Sequence, residues 1–336
     1  MSCTQDKILN ILKDGQFHSG ESLGEALGCS RTAVWKQLQK LESLGLSVES
    51  IKGTGYRVSG GFELFESELI VGKLKPEAAE QLSNLEIFKS IDSTNNHARK
   101  KAEREPCSGA VILAEQQTAG RGRRGKTWVS PFAANIYLSI VWDFEQGAQA
   151  LEGLSLAVGV AVKRALNSHG IKEVQLKWPN DIYVDGKKLG GILLEMIGDP
   201  AGQCSVIVGV GINMAMPADQ GANIDQLWTD VRTQMQTQQP ENERQVQLGK
   251  NHLTSSLISE IIILLSDFQA QGFSFYRDEW QAADAFYGLQ AAIHTPQRSI
   301  SGTVRGVDPN GALRLELDNG EIETFIGGEL SLRLSQ

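Results

Sequence analysis

The chain has 336 residues, 41% of them hydrophobic, and its 40 acidic against 32 basic side chains leave a formal net charge of -8. That length predicts an ample core and two or three domains, while the acidic balance argues against a nonspecific nucleic-acid coat and confines any DNA contact to one local basic face. No basic-then-apolar leader opens the chain and no apolar run approaches bilayer-spanning length, so a soluble cytoplasmic protein with no membrane partner is expected.

Cys3, Cys29, Cys107 and Cys204 are scattered singly, as suits packing roles in a reducing compartment. The five histidines stand far apart without HExxH spacing, so no protein-held metal is expected.

Residues 1–61 read as a small unit of their own. Ile8, Leu9, Ile11 and Leu12 give a first short helix an apolar face, and the helix ends near Asp14-Gly15. Ser19 caps a second helix through Leu27, and Gly28, Cys29 and Ser30 turn into a third that Ser30 caps, which is helix-turn-helix spacing. In that third helix Val34, Leu38 and Leu41 face the core. Arg31, Thr32, Lys36, Gln37, Gln39 and Lys40 are left for solvent or DNA, and Trp35 reads as partial core. Leu46, Val48 and Ile51, then Lys52-Gly53-Thr54-Gly55, then Tyr56-Arg57-Val58 predict a hairpin with a basic tip, making the unit winged. The DNA-contacting stretch is predicted to be Gly20 to Gln39, with Ser30, Arg31, Thr32, Lys36 and Gln37 foremost. A three-helix interaction domain with solvated basic residues is the alternative.

Gly60-Gly61 reads as a boundary and Phe62 to Leu74 as a connector. The block 65–275 mixes helices and strands. Ala110 to Ala114 reads as a strand, followed by GRGRRGKTW at Gly120 to Trp128. Glycines there let backbone amides approach an anion, and Arg121, Arg123 and Arg124 supply planar forks that match phosphate or carboxylate oxygens. Gly120, Gly125, Lys126 and Thr127 also satisfy the Walker A pattern, but a P-loop opens directly into a helix, whereas here Pro131 and a strand-like Ile136 to Trp142 follow. A P-loop ATP-binding regulator is therefore the minority reading of this segment.

Gly153 to Leu166 predicts a deeply packed helix. Val174 to Trp178, Ile182 to Val184, an Asp185-Gly186 hairpin turn and Leu189 to Ile197 predict strands. In KWPNDIYVDGKKLGGILLE, Lys177, Lys187 and Lys188 bracket Asn180 and Asp181, and such lysines polarise a carboxylate or neutralise an adenylate. Adjacent Lys187 and Lys188 point to opposite faces of a strand, so one at most enters a shared site. Alone, the segment reads better as a surface hairpin dotted with lysine. Val206 to Met214 is a further strand whose Gly209 and Gly211 leave room for a ligand. Hairpin connections argue for a mixed or antiparallel sheet.

Thr229 to Lys250 reads as a mobile insertion or weak helix, and Leu253 to Phe268 as an amphipathic helix. The block 285–336 carries turn signals at Asp308-Pro309-Asn310-Gly311 and Asp318-Asn319-Gly320, pointing to a small β-barrel.

Six blocks in order, IDSTN (91–95), AEQQTAGRGRRGKTW (114–128), SPFAANIYLS (130–139), KWPND (177–181), KKLGGILLE (187–195) and GVGINM (209–214), resemble the biotin protein ligases. With the amino-terminal unit, nearly the whole chain is similar to the bifunctional ligase and biotin-operon repressors. The resemblance implies an α+β fold: a winged helix-turn-helix, a mixed-sheet catalytic domain of the class II synthetase-like kind and an SH3-like barrel. It implies that biotin and MgATP form biotinyl-5′-adenylate, from which a lysine of the biotin carboxyl carrier protein takes biotin. By similarity Ser93, Thr94, Asn95 and Gln117 line the biotin pocket, and Arg121, Gly122 and Arg123 form a loop over biotin and the adenylate phosphate. Lys188 matches the lysine at the reacting carboxylate and shares the catalytic role with Arg123. Gly209 and Gly211 give biotin space. Lys177, Asn180, Asp181 and Asn213 would lie near the nucleotide with Arg121 and Arg123, and Trp228 would stack on adenine. The resemblance further implies an adenylate-bound homodimer on operator DNA, with Glu145, Gln146 and Gly147 on a dimer surface. A monofunctional biotin ligase and a lipoate ligase remain as alternatives.

Overall fold

The computed structural model describes residues 3–145, 147, 151–199, 202–238, 249–294, 299–327 and 331–334. Helices α1 (Cys3–Leu12), α2 (Gly20–Leu27) and α3 (Arg31–Ser43) precede a hairpin of β1 (Val48–Ile51) and β2 (Gly55–Val58). The hydroxyls of Ser19 and Ser30 accept from the amides of Ser22 and Ala33, satisfying donors that the first turns of α2 and α3 leave open. Gly28, at φ 64°, takes the left-handed conformation that ends α2. Ile8, Leu9, Leu12, Leu23, Val34, Leu38 and Leu41 close into one core.

Two expectations for α3 are corrected. Trp35 is 51% exposed rather than part of the core, and Gln37 is half-buried, its Oε1 shut from water. At about 100° per residue Gln37 falls nearer the Val34–Leu38–Leu41 stripe than Trp35 does.

The central unit begins with α4 (Ser67–Val71) and α5 (Pro76–Gln81), then β3 (Asn84–Phe88), α6 (Thr94–Ala102), β4 (Ala110–Ala114) and β5 (Asn135–Phe144). After α7 (Leu154–Ser168) come β6 (Gln175–Lys177), β7 (Asp181–Val184), β8 (Lys187–Gly198) and β9 (Cys204–Asn213). The seven strands order β3-β4-β5-β9-β8-β7-β6, with β3 and β4 parallel and the other neighbours antiparallel, so the mixed sheet was correctly expected. Asp185 and Gly186 both have positive φ, 51° and 69°, as a two-residue hairpin turn between β7 and β8 requires. The alternation of the strands buries two faces: Ile112, Val141 and Ile207 pack under Ala98 of α6, while Leu113, Ile140 and Val208 join the main core.

Helices α8 (Ala218–Gly221), α9 (Val231–Gln238) and α10 (Lys250–Gln271) follow. Thus Val231–Gln238 is helical, and 239–248 lie outside the described residues. Helix α10, with 22 residues and mean hydropathy 1.3, is long and apolar enough to cross a bilayer, contrary to the expectation that no run was. It is a core helix instead: 61% of its apolar window is buried, with Leu257, Ile261, Leu265 and Phe268 in the main core beside α7. Nor is it simply amphipathic, since Asn251, Thr254 and Ser255 are buried too.

The connector 62–66 is anchored to both units. Glu63 accepts from the amides of Lys250 and Asn251 at the start of α10, and Asn251 Oδ1 accepts from the amide of Glu66. Lys250, 4% exposed, pairs with Glu115, 3% exposed, beyond the end of β4, and its Nζ stands 3.8 Å from the centre of the Phe65 ring. Glu115 also accepts from the Phe65 amide. Beside this, Phe132 and Ala133 of the central unit sit in the helix-turn-helix core.

After α11 (Arg277–Ala282), strands β10 (Gln290–His294), β11 (Ser299–Val307), β12 (Leu313–Glu316), β13 (Ile322–Phe325) and β14 (Ser331–Leu334) form one antiparallel sheet in the order β13-β12-β11-β10-β14. Its Ile293, Val304 and Leu313 share the main core, and Trp178 donates to the Gly311 carbonyl at 3.1 Å.

Asp284, on the turn between α11 and β10, accepts from the Phe286 amide while its second oxygen has no partner among the described residues, and burial pushes its carboxyl up to about 6. Because the folded value lies above the ordinary one, ionisation opposes folding: stability is intact below about pH 4 and falls as pH rises towards 6. We expect Asp284→Asn to stabilise the protein by about 1–3 kcal/mol at pH 7.5 and by nothing at pH 4. Thermal melts at both pH values check this, and an equal gain at the two would refute it.

Candidate active site

The segment after β4, the carboxyl-side half of β9, the middle of β8 and the loop 120–128 line a cavity of about 450 Å3. Every ligase residue nominated from the sequence lines it. At one end, Ser93 caps α6, accepting from the Asn96 amide. That cap places Thr94 and Asn95 in the first turn, both buried. Gln117 Oε1 accepts from the Thr94 amide at 2.9 Å and from its hydroxyl at 3.2 Å, while Gln117 Nε2 donates to Ser130. Ser139 of β5 completes the set with contacts of 2.7 Å to Thr94 Oγ1 and 2.6 Å to Asn95 Oδ1. This end is neutral, polar and rigid, suited to an uncharged hydrogen-bonding head group such as a urea.

The glycines of β9 are needed for space. A Cβ on Gly209 would stand 2.3 Å from Asn95 Oδ1, and one on Gly211 2.6 Å from the Trp128 indole. Trp128 therefore lies flat on bare backbone, with its indole N–H buried and without a partner among the described residues.

The other end is cationic. Lys188 is paired with Asp181 at 2.6 Å and stands 5.4 Å from the Trp128 ring centre. Strict alternation from Gly191 along β8 would turn Lys187 inward. The register with β7 shifts between Ile182 and Tyr183, leaving Leu189 unopposed, and this bulge turns Lys188 to the cavity while Lys187 is exposed. Arg123 donates to Asn180 Oδ1 at 3.0 Å, and Asn180 Nδ2 to the Ile192 carbonyl at 2.7 Å. Burial lowers the pKa of Arg123 and of Lys177, whose Nζ lies over the Tyr183 and Phe286 rings. Desolvated cations of this kind interact strongly with a phosphate. Asn213 donates to the Thr229 carbonyl, and Trp228 packs on Gly221, bridged by backbone to Lys188.

The loop holding Arg121 to Lys126 is a short 3-10 turn at Arg123–Gly125, with Arg124 and Gly125 at positive φ, and no helix follows Thr127. The Walker A alternative has no helix amino terminus on which to hold phosphate. Sequence reasoning missed Leu332 and Arg333, which the carboxy-terminal sheet brings to the cavity rim. They are far away in sequence and carry no motif. Among the described residues no cluster of three or more His, Cys, Asp or Glu could hold a metal ion.

On the other unit, Arg31, Thr32, Lys36, Gln39 and Lys40 form the exposed face of α3. Lys52, Gly53 and Thr54 are exposed at the wing tip, while Arg57 is tied to Glu49 and lies over the Phe17 ring.

Residues 87–213 match the Biotin/lipoate A/B protein ligase family, 4–57 an HTH domain and 292–333 the Biotin protein ligase C terminal domain. The chain is 37% identical to the bifunctional ligase/repressor BirA of Escherichia coli, covering 98% of this chain and 97% of that protein. It is 32% identical to its counterpart in Bacillus spizizenii, over 91% of each. The biotin protein ligase of Aquifex aeolicus, solved in complex with biotin and ATP, superposes with a TM-score of 0.62 at 26% identity, covering 75% of this chain and 100% of that one. This chain belongs to the biotin protein ligase family, in its bifunctional ligase/repressor branch.

Proposed function

We propose that this chain activates biotin with ATP, transfers it to a lysine of the biotin carboxyl carrier protein, and represses the biotin operon. The observation that carries this reading is the polarity of this cavity: a neutral hydrogen-bonding end at Thr94, Asn95 and Gln117, and a desolvated cationic end at Lys188 and Arg123.

In the first step a biotin carboxylate oxygen attacks the α-phosphorus of ATP, and the bond to the bridging oxygen breaks to release pyrophosphate. Lys188 neutralises the carboxylate and phosphate oxygens it lies beside, and Arg123 binds the charge that develops on the phosphoryl group. Mg2+ would come with the nucleotide, held mainly by its phosphates, and would neutralise part of their charge. In the second step a neutral carrier lysine attacks the biotinyl carbonyl, displacing AMP. The closed loop 120–128 keeps water from the mixed anhydride between the steps.

The finer parts of the reading follow. Residues 1–61, 65–275 and 285–336 act as DNA-binding, catalytic and carboxy-terminal domains, the second of class II synthetase-like descent and the third an SH3-like barrel in the cytoplasm. Biotinyl-5′-adenylate is also the corepressor, favouring a homodimer that sets two α3 helices on a palindromic operator. Glu145 and Gly147 are assigned to the dimer surface, whereas Gln146 lies outside the described residues.

Exchange of labelled pyrophosphate into ATP tests the chemistry. Exchange that requires biotin supports the proposal; exchange with lipoate instead, or without any acid, sinks it.

A further inference from the structure

Arg121, nominated as a biotin and nucleotide ligand, is ion-paired within the protein. Arg121 Nη2 lies 2.9 Å and 2.8 Å from the two carboxylate oxygens of Glu195, 74 residues further along the chain. Glu195 stands on β8, on the same face as Gly191 and Leu193, just past the neutral end of the cavity. The same carboxylate accepts from Asn95 Nδ2 at 2.8 Å. That bond sets the orientation of the Asn95 amide, leaving Oδ1 to accept from Ser139 and to face Gly209.

We propose that Glu195 is a positioning residue: it latches the 120–128 loop shut through Arg121 and fixes the Asn95 amide against the biotin head group. Arg121 is then bound to Glu195 beside the neutral end of the cavity, while Arg123 and Lys188 stand at its cationic end. One carboxylate thus joins the loop that covers the substrate to the residue that recognises its head group. At 38% and 19% side-chain exposure the pair is shielded from water without being sealed, which suits a latch that must open for carrier access.

The latch is testable in ligand-free protein, and only its catalytic consequence rests on the biotin ligase reading. The loop offers trypsin Arg123, Arg124 and Lys126 whether or not Arg121 is present. Glu195→Gln keeps one acceptor for Asn95 but loses the charged bond to Arg121, so tryptic cleavage within 123–126, mapped by mass spectrometry, should accelerate roughly tenfold. Arg121→Ala should do the same, and the double variant should be no faster than either single one, with melting temperatures unchanged. Unchanged cleavage in Glu195→Gln, or additive effects in the double variant, would overturn the latch whatever the ligands prove to be. In protein that shows biotin-dependent pyrophosphate exchange, Glu195→Gln should release the adenylate roughly tenfold faster. Release at the wild-type rate overturns the catalytic consequence, whereas absence of exchange in the wild type counts against the ligase reading alone.

Discussion

Replacement of Lys188 by alanine is expected to slow biotinyl-adenylate formation about a hundred- to a thousandfold, the usual loss when one preorganised donor is removed from a developing charge. The bulge in β8 is the reason for so large an effect. It directs Lys188 rather than Lys187 into the cavity, and Asp181 at 2.6 Å holds the ammonium in place rather than leaving it to search. Because the interaction strengthens as charge develops on the phosphate, the loss falls on the chemical step more than on binding. Single-turnover formation of adenylate measures it, with Lys187→Ala as the control that leaves the rate unchanged. A Lys188→Ala rate within tenfold of normal would remove the residue from the catalytic role.

The second large effect concerns folding. Lys250 and Glu115 are both almost wholly buried, and removal of one partner leaves the other charge without compensation. We expect Lys250→Met to destabilise the protein by about 3–5 kcal/mol, and Lys250→Met with Glu115→Gln to recover part of that loss. Urea denaturation followed by circular dichroism reads both. A single variant that loses less than about 1 kcal/mol would show the pair to be replaceable. The desolvation of two ions makes the intact pair a poor source of net stability, even though breaking it is costly.

Much of the fold was legible because local chemistry and burial agreed. Ser19, Gly28 and Ser30 announced the helix-turn-helix boundaries, and Asp185-Gly186 announced the β7–β8 turn. Trp35 and Gln37 were misjudged because a stripe of three apolar residues leaves the flanking angles undetermined. Helix α10 was read as amphipathic because Asn251, Thr254 and Ser255 look solvated in sequence, whereas Glu63, Glu66 and the Lys250 carbonyl bind two of them in the interior. In the site, every nominated ligase residue reached one cavity, but the choice between Lys187 and Lys188 came from resemblance; alternation could not supply it, since a bulge is invisible to a period of two. The Arg121–Glu195 contact was equally hidden, joining residues that share no motif.

The placement of Phe132 and Ala133 in the helix-turn-helix core has a bearing on shortened forms of the protein. A fragment that starts after residue 66 would keep all of the ligase cavity lining, yet it would strip the cover from the Phe132 ring and take away the Phe65 amide and ring that Glu115 and Lys250 use. The segment so exposed runs directly back through Ser130, which holds Gln117, to Trp128 at the cavity wall. The regulatory unit is therefore also a plug, and an isolated ligase fragment inherits a sticky face that begins three residues along the chain from the lining of its own substrate pocket.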